Sequence, residues 1–394
     1  MQFDPSLSYL AETNFHRQFQ RFGIKQPDRL LHTYIIGKTG VGKSRLLENL
    51  ALQDVAARRG FALIDPHGDL VERLYAAIPD SRRDDVVYLD APDPTQPFGY
   101  NPLRRVRADQ IPLAASGILE TLRKLWPNAW GVRMEHVLRN SLFVLLERDG
   151  STLPDILRLY ADKPFRRAVV NQCGNAVVRN FWKREFEAYP HRFQAEAVGP
   201  IQNKLGAFLA DPRLYRILVE PASDIRFRSV MDSGRILLVN LSKGRIGEDA
   251  ALVLGGLIVS TLGLAAFSRA GLPPQARRPF HLYVDEFQSF TTLSFVNMMS
   301  ELRKYGVGLT LANQYLNQLE PDLRHAVLGN VGTLISFRVG PEDALVLERE
   351  FQPTFGVEDL LNLANRDLYL KLMIDGTPSK PFSARTLSCD QTGS

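Results

Sequence analysis

The chain has 394 residues, 45% of them hydrophobic and 23% charged, which is the composition of a soluble globular protein with one large or two ordinary domains. Lys and Arg outnumber Asp and Glu by 48 to 43, a surplus compatible with a nucleic-acid partner but too mild to establish one. Its two cysteines, Cys173 and Cys389, lie far apart without metal-type spacing, which excludes a disulfide framework and fits a reducing cytosol.

Residues 1–31 read as a lead-in whose Phe15, Phe19 and Phe22 are spaced to lie along one helical face, a packing face rather than a cofactor box. The β-branched and aromatic run Thr33–Ile36 predicts a buried strand. It runs into Gly37-Lys38-Thr39-Gly40-Val41-Gly42-Lys43-Ser44, which has the G-x-x-x-x-G-K-S spacing of a phosphate-binding loop. Glycines let successive N–H groups wrap an anion, and the following helix turns its positive end to the same charge. Lys43 would reach the β- and γ-phosphates of ATP, and the Ser44 hydroxyl would ligate Mg²⁺. Leu46, Leu47, Leu50 and Val55 recur at helical spacing behind the loop, with Gly60 as the C-terminal cap.

A second strand, Phe61–Ile64, delivers Asp65 and His67 at its carboxyl end, where parallel sheets place ligands. A helix-capping aspartate with a surface histidine explains the same pair equally well. A short helix and the strand Val86–Leu89 complete the first part of an α/β domain, residues 32–109. Between residues 110 and 225 the apolar spacing is helical throughout, as in Met134–Arg148, Pro154–Tyr160, Phe165–Cys173, Val177–Tyr189 and Ile201–Ala210. This predicts an all-helical insertion. The sheet resumes at Arg235–Leu241 and continues through Phe280–Val284, Val307–Ala312, Thr333–Val339 and Leu368–Ile374, making residues 226–376 the second part of the α/β domain. Ala250–Phe267 approaches the length of a membrane span, but glycines and hydroxyl residues dilute it, and a core helix packed on a sheet is expected. The polar tail, residues 377–394, is expected to be irregular.

A phosphate loop needs an acid for the metal and a base for water. The apolar strand before Asp285 and Glu286 supplies both at its carboxyl end: Asp285 for Mg²⁺ through water, Glu286 to orient and deprotonate the attacking water. Gln314, after the next strand, is a candidate sensor for that water or the γ-phosphate. Arg338 sits in an otherwise apolar run and needs an anionic partner. Either it reaches a neighbouring subunit's nucleotide, or it pairs with Glu342 or Asp343.

The blocks YIIGKTGVGKSRLLENL, ALIDPHGDL, FGYNPL, WGVRMEHVLRN, ILLVNLSKGRIGED, LYVDEFQSF, RKYGVGLTLANQYLNQL and GNVGTLISFRVGPEDA together resemble the HerA/FtsK superfamily of ring-forming ATPases. The closest branch is that of the conjugative coupling proteins (TraD/TraG-like). The resemblance implies a RecA-like P-loop NTPase fold with a mostly parallel sheet and a helical insertion. It also implies a homo-hexamer, and ATP-driven movement of DNA through a central pore. It supports Gln314 as sensor and implies an inter-subunit role for Arg338 or Arg303. In such a ring, sequence-independent backbone contacts would come from basic loops. The candidates are Lys243, Arg245, Arg104, Arg105, Arg107 and Lys304, each of which also reads as a solvated charge. The transmembrane helices usual in coupling proteins and the β-barrel of HerA proteins are not visible. A cytoplasmic chain without a membrane span, brought to its target by a secretion-machinery or effector protein, is therefore expected. The competing function is a nucleotide-gated assembly module that recruits a nuclease, relaxase or other effector without moving DNA.

Overall fold

The computed structural model describes residues 4–14 and 19–387. Phe15 and Cys389 lie outside the described residues. The chain divides into two compact units. One comprises Met1–Tyr88, Arg228–Asn240 and Ala266–Ser394; the other comprises Leu89–Phe227 and Leu241–Ala265.

The first unit is built on an eleven-stranded sheet: β1 (Leu7–Thr13), β2 (Arg21–Lys25), β3 (Thr33–Ile36), β4 (Gly60–Asp65), β5 (Val86–Asp90), β6 (Ile236–Asn240), β7 (Phe280–Val284), β8 (Val307–Asn313), β9 (Thr333–Ser336), β10 (Asp367–Lys371) and β11 (Phe382–Thr386). Their order across the sheet is β2-β1-β11-β10-β9-β3-β8-β7-β4-β6-β5. From β9 to β6 the pairing is parallel; from β9 outward through β10, β11, β1 and β2 it is antiparallel. Sequence and position agree in physical terms. The strands β3, β4, β6, β7 and β8 are buried at every residue, as runs covered on both faces must be, whereas β10 alternates buried and half-buried positions. Helix α1 (Lys43–Ala56) lays Leu46, Leu47, Leu50 and Val55 into the core formed with Ile35, Phe61 and Leu63. Helix α2 (Asp69–Ala77) adds Leu70, Val71 and Leu74 to the same core.

The two ends of the chain differ from the sequence expectation. Residues 1–31 supply β1 and β2 rather than a helical face, and Phe22 makes an edge-to-face contact with Phe382 at 5.2 Å. The described part of the tail, residues 377–387, is not irregular: β11 inserts between β1 and β10, with Ala11 opposite Thr386. Non-local pairing overrides the local spacing here. The run Thr333–Val339 also ends early as a strand, at Ser336.

The second unit holds α3 (Ile111–Leu125), α4 (Val132–Leu146), α5 (Leu153–Ala161), α6 (Lys163–Gln172), α7 (His191–Leu209) and α8 (Pro212–Leu218). Between α6 and α7 the short helix Ala176–Asn180 passes into a π-helical turn, Phe181–Glu185, whose Phe181 and Trp182 join Phe186 in an aromatic cluster. The unit is larger than residues 110–225, because it starts at Leu89 and takes in Leu241–Ala265. That second piece holds most of α9 (Glu248–Phe267). A Cβ on Gly256 of α9 would stand 2.8 Å from the Thr121 methyl of α3, so the glycine allows the two helices to approach closely. The apolar segment Glu248–Gly271 has a mean hydropathy of 2.2 over its most apolar window, and 72% of that window is buried.

Candidate active site

The parallel order β3-β8-β7-β4 brings four strand ends to one edge of the sheet. β3 delivers the phosphate loop, β8 Gln314, β7 Asp285 and Glu286, and β4 Asp65 and His67. Residues distant in the sequence therefore face one cleft of about 270 Å³, lined among others by Lys43, Ser44, His67, Asp285, Glu286 and Gln314.

The loop is held from below. Lys38 N–H donates to the Arg338 carbonyl at 2.9 Å, and Arg366 N–H donates to the Val41 carbonyl at 2.9 Å. Gly40 and Gly42 take φ of 78° and 125°, conformations that favour glycine. Gly37 has no room for a Cβ, which would fall 2.6 Å from that of Phe337. At the first residue of α1, the Lys43 ammonium donates to the carbonyls of Gly37 and Lys38, the latter at 2.9 Å. Burial pulls its pKa down; the charges of Asp285 and Glu286 oppose that pull. The ammonium is thus a largely desolvated cation held by loop carbonyls at the mouth of the cleft, suited to a polyanion.

Ser44 Oγ donates to Asp285 Oδ2 at 3.1 Å. Burial, and then the nearby Asp65, push the Asp285 carboxyl above its ordinary range, while Lys43 and two hydrogen bonds pull the other way. A hydroxyl and one carboxylate side by side form the donor set that Mg²⁺ uses when phosphate oxygens and water complete its shell. Among the described residues no group of three or more His, Cys, Asp or Glu could hold a metal by itself.

Glu286 occupies the left-handed region at φ 45°, an uncommon conformation for a residue with a side chain. Its Oε1 accepts Gln314 Nε2–H at 2.8 Å and lies 2.9 Å from His67 Nε2. Thr39 Oγ1 in turn donates to Gln314 Oε1 at 3.1 Å. A polar chain thus runs from the phosphate loop through Gln314 to Glu286. Asp65 is a structural cap: its carboxylate accepts the N–H groups of His67, Leu70 and Val71. His67, however, is no mere surface residue.

Residues 279–348 match the family described as the TraM recognition site of TraD and TraG. Among solved structures the chain is similar to the bacterial conjugative coupling protein TrwB lacking its N-terminal 70 residues, at 16% identity over 93% of this chain and 87% of that one, with a TM-score of 0.63. TrwB in complex with ADP and Mg²⁺ matches at 15% identity over the same shares, TM-score 0.62. VirB4 of Thermoanaerobacter pseudethanolicus matches at 15% identity over 99% of both chains, TM-score 0.67. The chain shares the fold of these TrwB and VirB4 structures. No curated protein sequence matches the chain.

Several expected residues of this coupling-protein-like fold sit elsewhere than the sequence suggested. Arg338 lies beyond the end of β9, half-buried, and donates to the Leu363 carbonyl at 3.1 Å and Asn365 Oδ1 at 2.9 Å. It pairs with neither Glu342 nor Asp343; these accept from Asn317 Nδ2 and Leu316 N–H. Arg303 is exposed in the turn before β8, at the opposite strand ends from its own chain's cleft. Lys304 next to it pairs with Glu301 at 2.6 Å. In the helical unit, Arg104 pairs with Asp224, Arg105 with Asp149 at 2.9 Å and Arg107 with Asp109 at 3.0 Å. Lys243 and Arg245 lie on the short helical turn Lys243–Ile246, where the Arg245 carbonyl accepts from Arg213.

One buried cluster was not foreseen. Arg29 grips Asp54 with two hydrogen bonds of 2.7 and 2.9 Å, Tyr283 donates to the same carboxylate, and Arg59 joins at 2.8 Å. The cluster ties α1, which starts in the phosphate loop, to β7, which Asp285 follows. An aspartate in the apolar run Leu50-Ala51-Leu52-Gln53-Asp54-Val55 is the sequence signal that could have found it.

Proposed function

We propose that the chain is a Mg²⁺-dependent ATPase that assembles as a hexameric ring and moves DNA through its centre. The observation that carries the reading is the assembly of Lys43, Ser44, Asp285, Glu286 and Gln314 around one cleft in a fold shared with TrwB, a protein solved with ADP and Mg²⁺. The phosphates would lie on the loop N–H groups and the Lys43 ammonium. Bound Mg²⁺ supplies charge neutralisation at those phosphates. Glu286 accepts the proton of a water that Gln314 helps to align, so catalysis is chiefly positioning and electrostatics. Arg338 or Arg303 of a neighbouring subunit would complete the site. Lys243, Arg245, Arg104, Arg105, Arg107 and Lys304 are the DNA contacts this reading assigns. A cytoplasmic location and a protein partner of the kind the TraM-recognition family describes belong to the same proposal.

The pairing of Arg104, Arg105 and Arg107 with aspartates favours the second reading, a nucleotide-gated module that recruits an effector without moving DNA. Phosphate release with and without DNA, across a salt series, separates the two. The motor requires DNA stimulation and an affinity that falls steeply as salt rises; turnover indifferent to DNA would overturn it.

A further inference from the structure

His67 is presented to the cleft by a loop with little freedom. Its own N–H is held by Asp65 Oδ1 at 2.8 Å, and the same carboxylate holds the first turn of α2 through Leu70 and Val71. The next residue, Gly68, takes φ 94°, and a Cβ there would stand 2.5 Å from Asn240 Oδ1 at the end of β6. The loop is thus fixed by β4, α2 and β6 together, and it sets the imidazole Nε2 2.9 Å from Glu286 Oε1. An ionised carboxylate only accepts, so Nε2 must carry the proton. The same oxygen takes Gln314 Nε2–H from the other strand neighbour, at 2.8 Å. Glu286 comes from a strained backbone position, where its side-chain direction depends on such restraints.

We propose that His67 is a positioning residue for Glu286: with Gln314 it clamps one carboxylate oxygen from two sides and so fixes how the base meets the attacking water. This rests on the hydrolytic reading above. The described polar contact of the His67 side chain is to Glu286 rather than to the phosphate loop, so its loss should act on turnover and leave nucleotide affinity alone. Half of the ring is exposed, at 47% of its side-chain surface, which keeps the effect moderate.

The test is steady-state ATP hydrolysis by the full chain as wild type, His67→Ala and His67→Gln, with imidazole ¹H–¹⁵N spectra of the wild type and of Glu286→Gln. His67→Ala should lower kcat roughly tenfold with KM unchanged, because a small misplacement of a reacting group is costly. His67→Gln, which restores an N–H near the Nε2 position, should recover most of that loss. Of the seven histidines, the one whose signals vanish in His67→Gln should be protonated on Nε2 and shift in Glu286→Gln. An unchanged or raised kcat in His67→Ala, a change confined to KM, no rescue by Gln, or an imidazole blind to Glu286→Gln would each overturn the role of His67. A wild type that releases no phosphate would overturn the hydrolytic reading itself, and the positioning role with it.

Discussion

The two units differ most in what they bury. The α/β unit encloses Arg29, His32, Lys43, Asp54, Asp65, His281, Asp285 and Glu286, nearly all hydrogen-bonded. In the helical unit Arg166 is the one charged residue buried among those described; the interior is otherwise apolar, aromatic or neutral polar, and most ion pairs are at the surface. Buried charge is costly unless partners are fixed, so where it accumulates the fold specifies geometry rather than bulk stability. The unit that tolerates this cost is the one with the phosphate loop. The helical unit keeps its charges where partners can be exchanged.

The largest effect that would test this contrast is removal of one partner from the deepest pair. Asp54→Ala leaves Arg29 uncompensated at a position only 4% exposed, and should destabilise the chain by about 3–5 kcal/mol in denaturant melts. A cost under 1 kcal/mol would mean that the buried cluster is dispensable.

Next comes acid. Burial holds the His32 pKa down at about 4, and burial with Arg29 holds that of His281 at about 3, against an ordinary 6.5. Well above pH 6.5 both are neutral whether the chain is folded or unfolded. As pH falls to 5 the unfolded chain takes up protons that the fold refuses, so stability declines by about 2 kcal/mol for each histidine. His32 shows why the fold refuses: Nε2 bonds the Met299 carbonyl while Nδ1 accepts Leu309 N–H, and the second bond needs an unprotonated nitrogen. Melts that coincide at pH 7 and pH 5 would contradict this.

The smallest effect belongs to the helical surface. Arg105 and Asp149 are 58% and 78% exposed, so Arg105→Ala should change stability by less than about 1 kcal/mol. A loss comparable to that of Asp54→Ala would erase the distinction between the units.

What the sequence disclosed follows the range of the interactions. The central strands were legible because strands covered on both faces read as unbroken apolar runs, and Thr33–Ile36 and Phe280–Val284 have the boundaries expected of them. The positions of Gly37–Ser44 and of Asp285–Glu286 at strand ends were legible because each is a short motif contained in one local window. The outer strands were not. β1 and β11 exist because the two ends of the chain pair with each other, which no local window contains, and aromatic spacing near the N-terminus imitated a helix. Arg338 was misplaced because the strand carrying it ends two residues earlier. His67 could be placed at the ligand edge, but its contact with Glu286 depends on strand order: β4 lies beside β7, and that adjacency is invisible along the chain.

The central claim is that the phosphate loop and the Asp285–Glu286 pair form one hydrolytic site. It is tested most directly by measuring MgATP binding and phosphate release side by side in the wild type, Glu286→Gln and Lys43→Ala. The account predicts that Glu286→Gln binds nucleotide within a few-fold of wild type while losing at least about a hundredfold in turnover, and that Lys43→Ala loses both. Phosphate release that survives in either variant at the wild-type rate would contradict it.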